Sequence, residues 1–188
     1  MATERPARGL EPTNRLVLAT STNDQRRVVS ARGLPDDPAA DVLLLVVTYT
    51  RTPADVVADW RAAPVPTPGR FHVVTVQERP GTDDLPPEAV ATTTAATTNP
   101  NDLTGLAMRL QDVLSDVDDY EHVLLCFDSV TVLLQYQSVQ SAFKFLHMLT
   151  SQLREAEVVG NFYVDPTAVD DRTLARVRTV MDEEVELE

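Results

Sequence analysis

The sequence predicts a single α/β domain of three layers, with helices on both faces of a mostly parallel central sheet of about five strands. Three observations predict it. Apolar runs of strand length recur along the chain, capped helix-like segments separate them, and 43% hydrophobic content over 188 residues suffices for one core and not for two large ones.

The strand candidates are RLVLAT (15–20), DVLLLVVTYT (41–50), RFHVVTVQE (70–78), EHVLLCFDS (121–129) and EVVGNFYVDP (157–166). Each is rich in Val, Leu or aromatic residues and ends on a polar or turn residue, the pattern of a strand buried on both faces. Between them, Pro53 opens ADVVADWRA, Asp102 can cap LTGLAMRLQDVLSDV, and Val169, Leu174, Val177 and Val180 repeat at helical spacing. The longest helix is expected from Ser138 to about Glu157, with Val139, Ala142, Phe143, Leu146, Leu149 and Leu153 on one face. Phe145 and Met148 lie off that stripe and are the candidate interface residues; a broader core-facing stripe is the alternative.

The domain is expected over 15–181. A polar N-terminal segment, 1–14, and the acidic end 182–188 read as flexible tails. Residues 79–101, dense in Pro, Thr and Ala without a clear period, read as an irregular loop.

Charge narrows the function classes. The formal net charge is −13, and the sixteen basic residues are fifteen Arg and one Lys, Lys144. Acid-rich, Lys-poor composition with much Ala, Val, Thr and Asp points to a protein adapted to high salt, where a dense carboxylate surface is screened. A GC-rich genome favouring Arg codons is the alternative. Such a surface repels phosphates, so nucleic acid is not an expected partner. No run reaches the ~18 apolar residues of a membrane span, and the reading is a cytoplasmic protein. Cys126, alone in the chain and inside VLLCF, is expected to be a buried thiol.

The stretch EHVLLCFDSVTVLLQYQS places Asp128 and Ser129 at the end of a buried strand. A carboxylate there suits magnesium held for a nucleotide, provided a phosphate-binding loop lies beside it. LLCFDSVTVLLQYQS followed by FKFLHMLTSQLREAEVVGNFYVDP resembles the second half of the RecA/KaiC-like ATPase domains of archaea. With the first strand and NPNDLTGLAMRLQDVL, the likeness extends over most of 14–181. It points to an uncharacterised haloarchaeal KaiC-like family whose members often lack a nucleotide-binding loop.

The resemblance implies that Asp128 matches the Walker B aspartate and Ser129 the small hydroxyl residue after it. The Walker A loop should follow the first strand. There the chain reads LATSTNDQRRVVS, with no Gly between Arg15 and Ser30 and no Lys. A P-loop depends on glycines that let consecutive N–H groups surround the phosphates and on a Lys that reaches them. Arg26 or Arg27 could stand in for the Lys beside a helix beginning near Ser21 to Asp24, but Asp24 opposes polyphosphate there and Asn23-Asp24 reads more simply as a helix cap. The catalytic Glu has no candidate, and Asp55 reads as a first-turn helix residue. Asp128 therefore has two readings. As a relic it caps the next turn or pairs with an Arg such as Arg15 or Arg51; as a retained site it binds magnesium weakly unless a partner subunit brings the phosphate loop.

Other catalytic patterns are thin. His72, His122 and His147 lack ligand spacing, no Gly-x-Ser-x-Gly elbow exists, and Asp165-Pro166 reads as a turn. A receiver domain would need an acidic cluster after the first strand and a Lys after the last, and both are missing. The expected function is a catalytically inactive RecA/KaiC-like domain serving as a regulatory or signalling interaction module in a halophilic archaeon, without cofactor, as a homodimer or with a RecA/KaiC-like paralogue. The alternative is a nucleotide-binding ATPase or kinase using ATP with magnesium at a non-standard or partner-completed phosphate site.

The charge makes a direct prediction. Below about 0.5 M salt the melting temperature should fall, because neighbouring carboxylates are then less screened. Thermal melts across a KCl series measure it, and a flat midpoint would favour codon bias.

Overall fold

The structure, a computed structural model, describes residues 11–20, 25–32, 34–36, 41–79 and 85–187. In chain order the elements are β1 (Asn14–Leu18), α1 (Gln25–Ser30), β2 (Val42–Thr48), α2 (Pro53–Ala62), β3 (Arg70–Val76), α3 (Pro87–Val90) and β4 (Thr93–Thr98). They continue with α4 (Leu103–Ser115), β5 (His122–Asp128), α5 (Val130–Tyr136), α6 (Val139–Glu155), β6 (Val159–Val164), α7 (Asp171–Arg178) and β7 (Glu183–Glu186). All paired strands are parallel, in the order β4-β3-β2-β5-β6-β1-β7.

The architecture follows from what a parallel sheet demands, since its central strands are apolar on both faces and each face needs a helical layer. Leu43, Leu45, Leu125, Phe127 and Phe162 point into one core with Leu106 and Leu110 of α4, Leu133 of α5, and Leu146, Leu149 and Leu153 of α6. Leu44, Val46, Val73, Leu124 and Cys126 point into the other with Val29 of α1 and Val56, Val57 and Trp60 of α2. Helices α4 to α7 thus cover one face and α1 to α3 the other. At Gly160 of β6 the layers approach so closely that a Cβ would stand 2.9 Å from Leu153 of α6.

Helix starts obey local chemistry. Thr52 and Asp55 form a capping box on α2 with Pro53 in its first turn, so Asp55 is a first-turn helix residue as expected. Asp102, Ser138 and Asp170 accept N–H bonds at the starts of α4, α6 and α7.

Three expectations need correction. The sheet has seven strands rather than about five. Two of them come from stretches read as irregular: β4 lies in the 79–101 segment, and β7 in the acidic end 182–188. Each is an edge strand, paired on one side only, so neither carries the apolar run of a strand buried on both faces. The third correction is to Phe145 as an interface residue: it is 5% exposed with its ring 6.0 Å from that of Phe127, so at Phe145 the broader core-facing stripe is the reading that holds. The buried face of α6 is Ala142, Phe145, Leu146, Leu149 and Leu153, because the helix touches α4, α5 and α7 as well as the sheet. Phe145 is therefore a core residue. Val139, expected on the packed face, is exposed, and so is Met148. Most of the expected N-terminal tail, residues 1–10, and Glu188 lie outside the described residues.

Asp182 ties the last strand to the first. Its carboxylate accepts the Asn14 backbone N–H at 2.8 Å, the Asn14 side-chain amide at 3.3 Å and Arg154 at 2.7 Å. Burial pushes its pKa up, but the Arg154 and Asn14 donors outweigh burial and hold it below the usual carboxylate value. A depressed folded pKa gives stability that is present above the unfolded value and lost as pH falls through the folded one. Wild-type melting temperature should therefore fall more steeply below about pH 4 than that of Asp182→Asn. Parallel curves in melts from pH 6 to pH 2 would remove Asp182 from this account.

Candidate functional site

The carboxyl ends of β2 and β5 lie side by side, with Thr48 opposite Asp128 in register. From β2 the chain proceeds outward to β3, and from β5 in the opposite direction to β6. Such a divergence marks the place where ligands usually sit in an open parallel sheet. Asp128 and Ser129 sit at this point.

What fills the position next to Asp128 is an arginine. Arg26, the second residue of α1, lies with its side chain 8% exposed and places Nη2 2.6 Å from Asp128 Oδ1. Its guanidinium carbon stands 3.9 Å from the centre of the Tyr163 ring on β6. Ser30, one helical turn along α1, meets the Tyr163 hydroxyl, and that hydroxyl donates to Cys126 Sγ at 3.5 Å. Charge, ring, hydroxyls and thiol form one buried chain linking α1 to β5 and β6. Burial raises the Tyr163 phenol well above its ordinary value and pushes the Cys126 thiol up to about 11, so neither is poised as a nucleophile.

The residues around the pair are occupied by local structure. Ser129 caps α5 by accepting the Val132 N–H at 3.3 Å. Thr48 Oγ1 accepts the backbone N–H of Arg51 at 3.2 Å, and the Arg51 guanidinium pairs with Asp59 of α2. Arg15 pairs with Glu183 across the β1–β7 register. Neither of the two arginines suggested by strand position is the partner of Asp128; Arg26 is. Tyr49, following β2, stacks on Tyr136 at 6.3 Å and walls one side. Thr131 Oγ1 accepts the Asp165 N–H at 2.8 Å, while the Asp165 carboxylate accepts Thr167 N–H at 2.9 Å, the turn expected there. The expected cap at Asn23-Asp24 lies outside the described residues.

The histidines do not converge. His72 on β3 faces Thr94 Oγ1 at 2.5 Å with its pKa lowered by burial, His122 starts β5, and His147 lies exposed on α6 beside Phe143. Among the described residues no three His, Cys, Asp or Glu side chains cluster closely enough to hold a metal ion. No helix among them is long and apolar enough to cross a membrane. Met148, the other interface candidate, is on the surface of α6, far from Asp128 in sequence and on the layer formed by α4 to α7.

Comparison with known families adds one assignment. The family of unknown function DUF7504 matches residues 12–187, from just before β1 to the end of β7. The chain belongs to this family. No curated protein matches it. A solved structure of Pyrococcus horikoshii OT3, from the structural study of Project ID PH0250, is similar with a TM-score of 0.62 and 11% identity. The similarity covers 95% of this chain and 83% of that one, and at such identity it concerns the fold. In this DUF7504 chain Asp128 was legible as a strand-end carboxylate, whereas Tyr163 and Ser30 gave no signal before the fold brought them together.

The ion pair carries a stability consequence. Asp128→Ala removes the carboxylate from a buried guanidinium and should cost about 2–3 kcal/mol. Combining it with Arg26→Met should cost less than the sum of the two single changes by about 1 kcal/mol or more. Denaturant melts in molar KCl measure this cycle, and strict additivity would show that the two groups are not coupled.

Proposed function

We propose that this DUF7504 chain is a catalytically inactive RecA/KaiC-like domain that acts as a regulatory or signalling interaction module in a halophilic archaeon. The observation that carries the reading is the Arg26–Asp128 pair. A carboxylate that serves a nucleotide must be available to magnesium and its water shell, and here a buried guanidinium takes it. The sequence supports the same reading, since the segment after β1 has neither the glycines nor the Lys that would cradle phosphates.

Other features agree with it. Ser129 is engaged as a helix cap, Cys126 and Tyr163 are sealed in the core, and the acidic composition disfavours a polyanionic ligand at large. The parallel sheet, with its strand order diverging between β2 and β5, is compatible with a RecA/KaiC-like origin. Activity of such a chain would lie in what its surface binds.

Calorimetric titration with ATP and magnesium in molar KCl tests the reading. No heat of binding is expected for wild type. Micromolar binding that disappears in Asp128→Ala would overturn it and establish the alternative, a nucleotide site with a non-standard phosphate-binding group.

A further inference from the structure

We infer that β4 is a self-pairing edge through which two copies of this chain join their sheets antiparallel about a twofold axis at Ala95. This inference rests on the interaction-module reading and names its surface.

Backbone geometry supplies the first reason. Phe71 N–H bonds to Thr92 C=O and Gln77 N–H to Thr98 C=O, both at 2.9 Å, with Phe71 in register with Thr93. In a parallel ladder alternate residues turn both polar groups to the same neighbour, so Thr92, Thr94, Ala96 and Thr98 serve β3. Thr93, Ala95 and Thr97 then direct their N–H and C=O groups away from the sheet. Among the described residues no strand lies beyond them; Ala95 is exposed, Thr97 is half-buried and Thr93 is 8% exposed, so the open stretch of the edge centres on Ala95. A row of outward donors and acceptors of this kind is a template for another strand.

Charge selects the occupant. Residues 89–101 contain no charged side chain, in a chain of net charge −13. Two copies repel one another over most orientations, and this neutral rim is where their backbones can meet with least opposition between carboxylates. The opposite edge shows the contrast: β7 carries Glu183, Glu184 and Glu186, so self-pairing there would set like charges side by side. Side chains on β4 are Thr and Ala only, which provide no pocket to select a foreign residue but fit a copy of themselves. Antiparallel pairing about Ala95 sets it opposite Ala95 of the second copy and Thr93 opposite Thr97. Every outward group then finds a partner, as an isologous interface requires.

Two kinds of variant test this. Ala95→Pro deletes an outward N–H and obstructs the approaching strand while leaving every bond to β3, a position where an edge strand tolerates proline. Ala95→Cys introduces the one accessible thiol, since Cys126 is buried. Opposed residues of such a pair have Cα atoms about 5.5 Å apart, within disulfide range, whereas two Thr97→Cys residues would lie on the order of 14 Å apart. Light scattering in molar KCl should give a dimer for wild type and half that mass for Ala95→Pro, with circular dichroism unchanged. Mild oxidation should cross-link Ala95→Cys and not Thr97→Cys. A wild-type monomer that Ala95→Cys does not cross-link overturns the inference. A dimer that survives Ala95→Pro, or that cross-links equally through Thr97→Cys, also overturns it while leaving an interaction module that uses another surface. Nucleotide titration decides that module reading separately.

Discussion

A guanidinium cannot shed its proton inside a protein, so the buried Arg26 needs a countercharge where it lies, and Asp128 at the end of β5 supplies one. Much else follows from that necessity. The pair fixes α1, a helix of six residues, over the carboxyl ends of β5 and β6, where its own length would give it little independent stability. Tyr163 supplies a ring face to the guanidinium, Ser30 and Cys126 satisfy the phenol, and Val29 fills the apolar gap beside them. One charge–charge contact between residues far apart in the chain thereby anchors α1 to the sheet, while α2 and α3 are held by their apolar residues. The same contact engages Oδ1 of Asp128, which is the observation behind the proposed loss of nucleotide chemistry.

The legible part of the fold is the part that is buried on both sides. β2, β5 and β6 are apolar at nearly every position because helices cover both faces, and such runs stand out from the sequence alone. Helix starts were legible for a different reason: Pro53 suits a first helical turn, and Asp102 and Ser138 act on backbone N–H groups within one turn. The edge strands were not legible. TTAATT has two buried positions, its ends, and EEVE has none, so the hydrophobic signal is missing where a strand has one neighbour. The misreading of Phe145 has a related origin. A helix that touches only a sheet buries a narrow stripe, but α6 lies among α4, α5 and α7 and buries a wide one, so a residue off the first stripe is still inside.

The site was half legible. Asp128 announces itself as the acid that closes an apolar run, and the missing glycines and Lys are visible by inspection. Its partner was not. Arg15 and Arg51 were the obvious cations at strand ends, yet each has an acid closer in the fold: Glu183 in register on β7 for Arg15, and Asp59 on α2 for Arg51. Arg26 reaches Asp128 with its Nη2 and lies over the ring of Tyr163, a contact that only the packing of α1 across two strands creates. Long-range charge pairing depends on which acids are already taken, and that is a property of the whole fold.

An acidic surface changes how a protein selects its contacts. In an ordinary protein a binding patch stands out by apolar area, whereas here the largest energetic contrast on the surface is between places with carboxylates and places without. The most exposed large apolar residues, Met108 and Val90, are on separate elements, α4 and α3, rather than gathered into one patch. Neutrality, by contrast, is gathered: it runs through α3's end, the whole of β4 and the turn before α4. Backbone hydrogen bonds are short-ranged and are not weakened by salt as exposed ion pairs are, so an association built on them suits a medium that screens charge. High salt lowers the repulsion between two such chains, and a neutral strand edge gives them something to share once they approach.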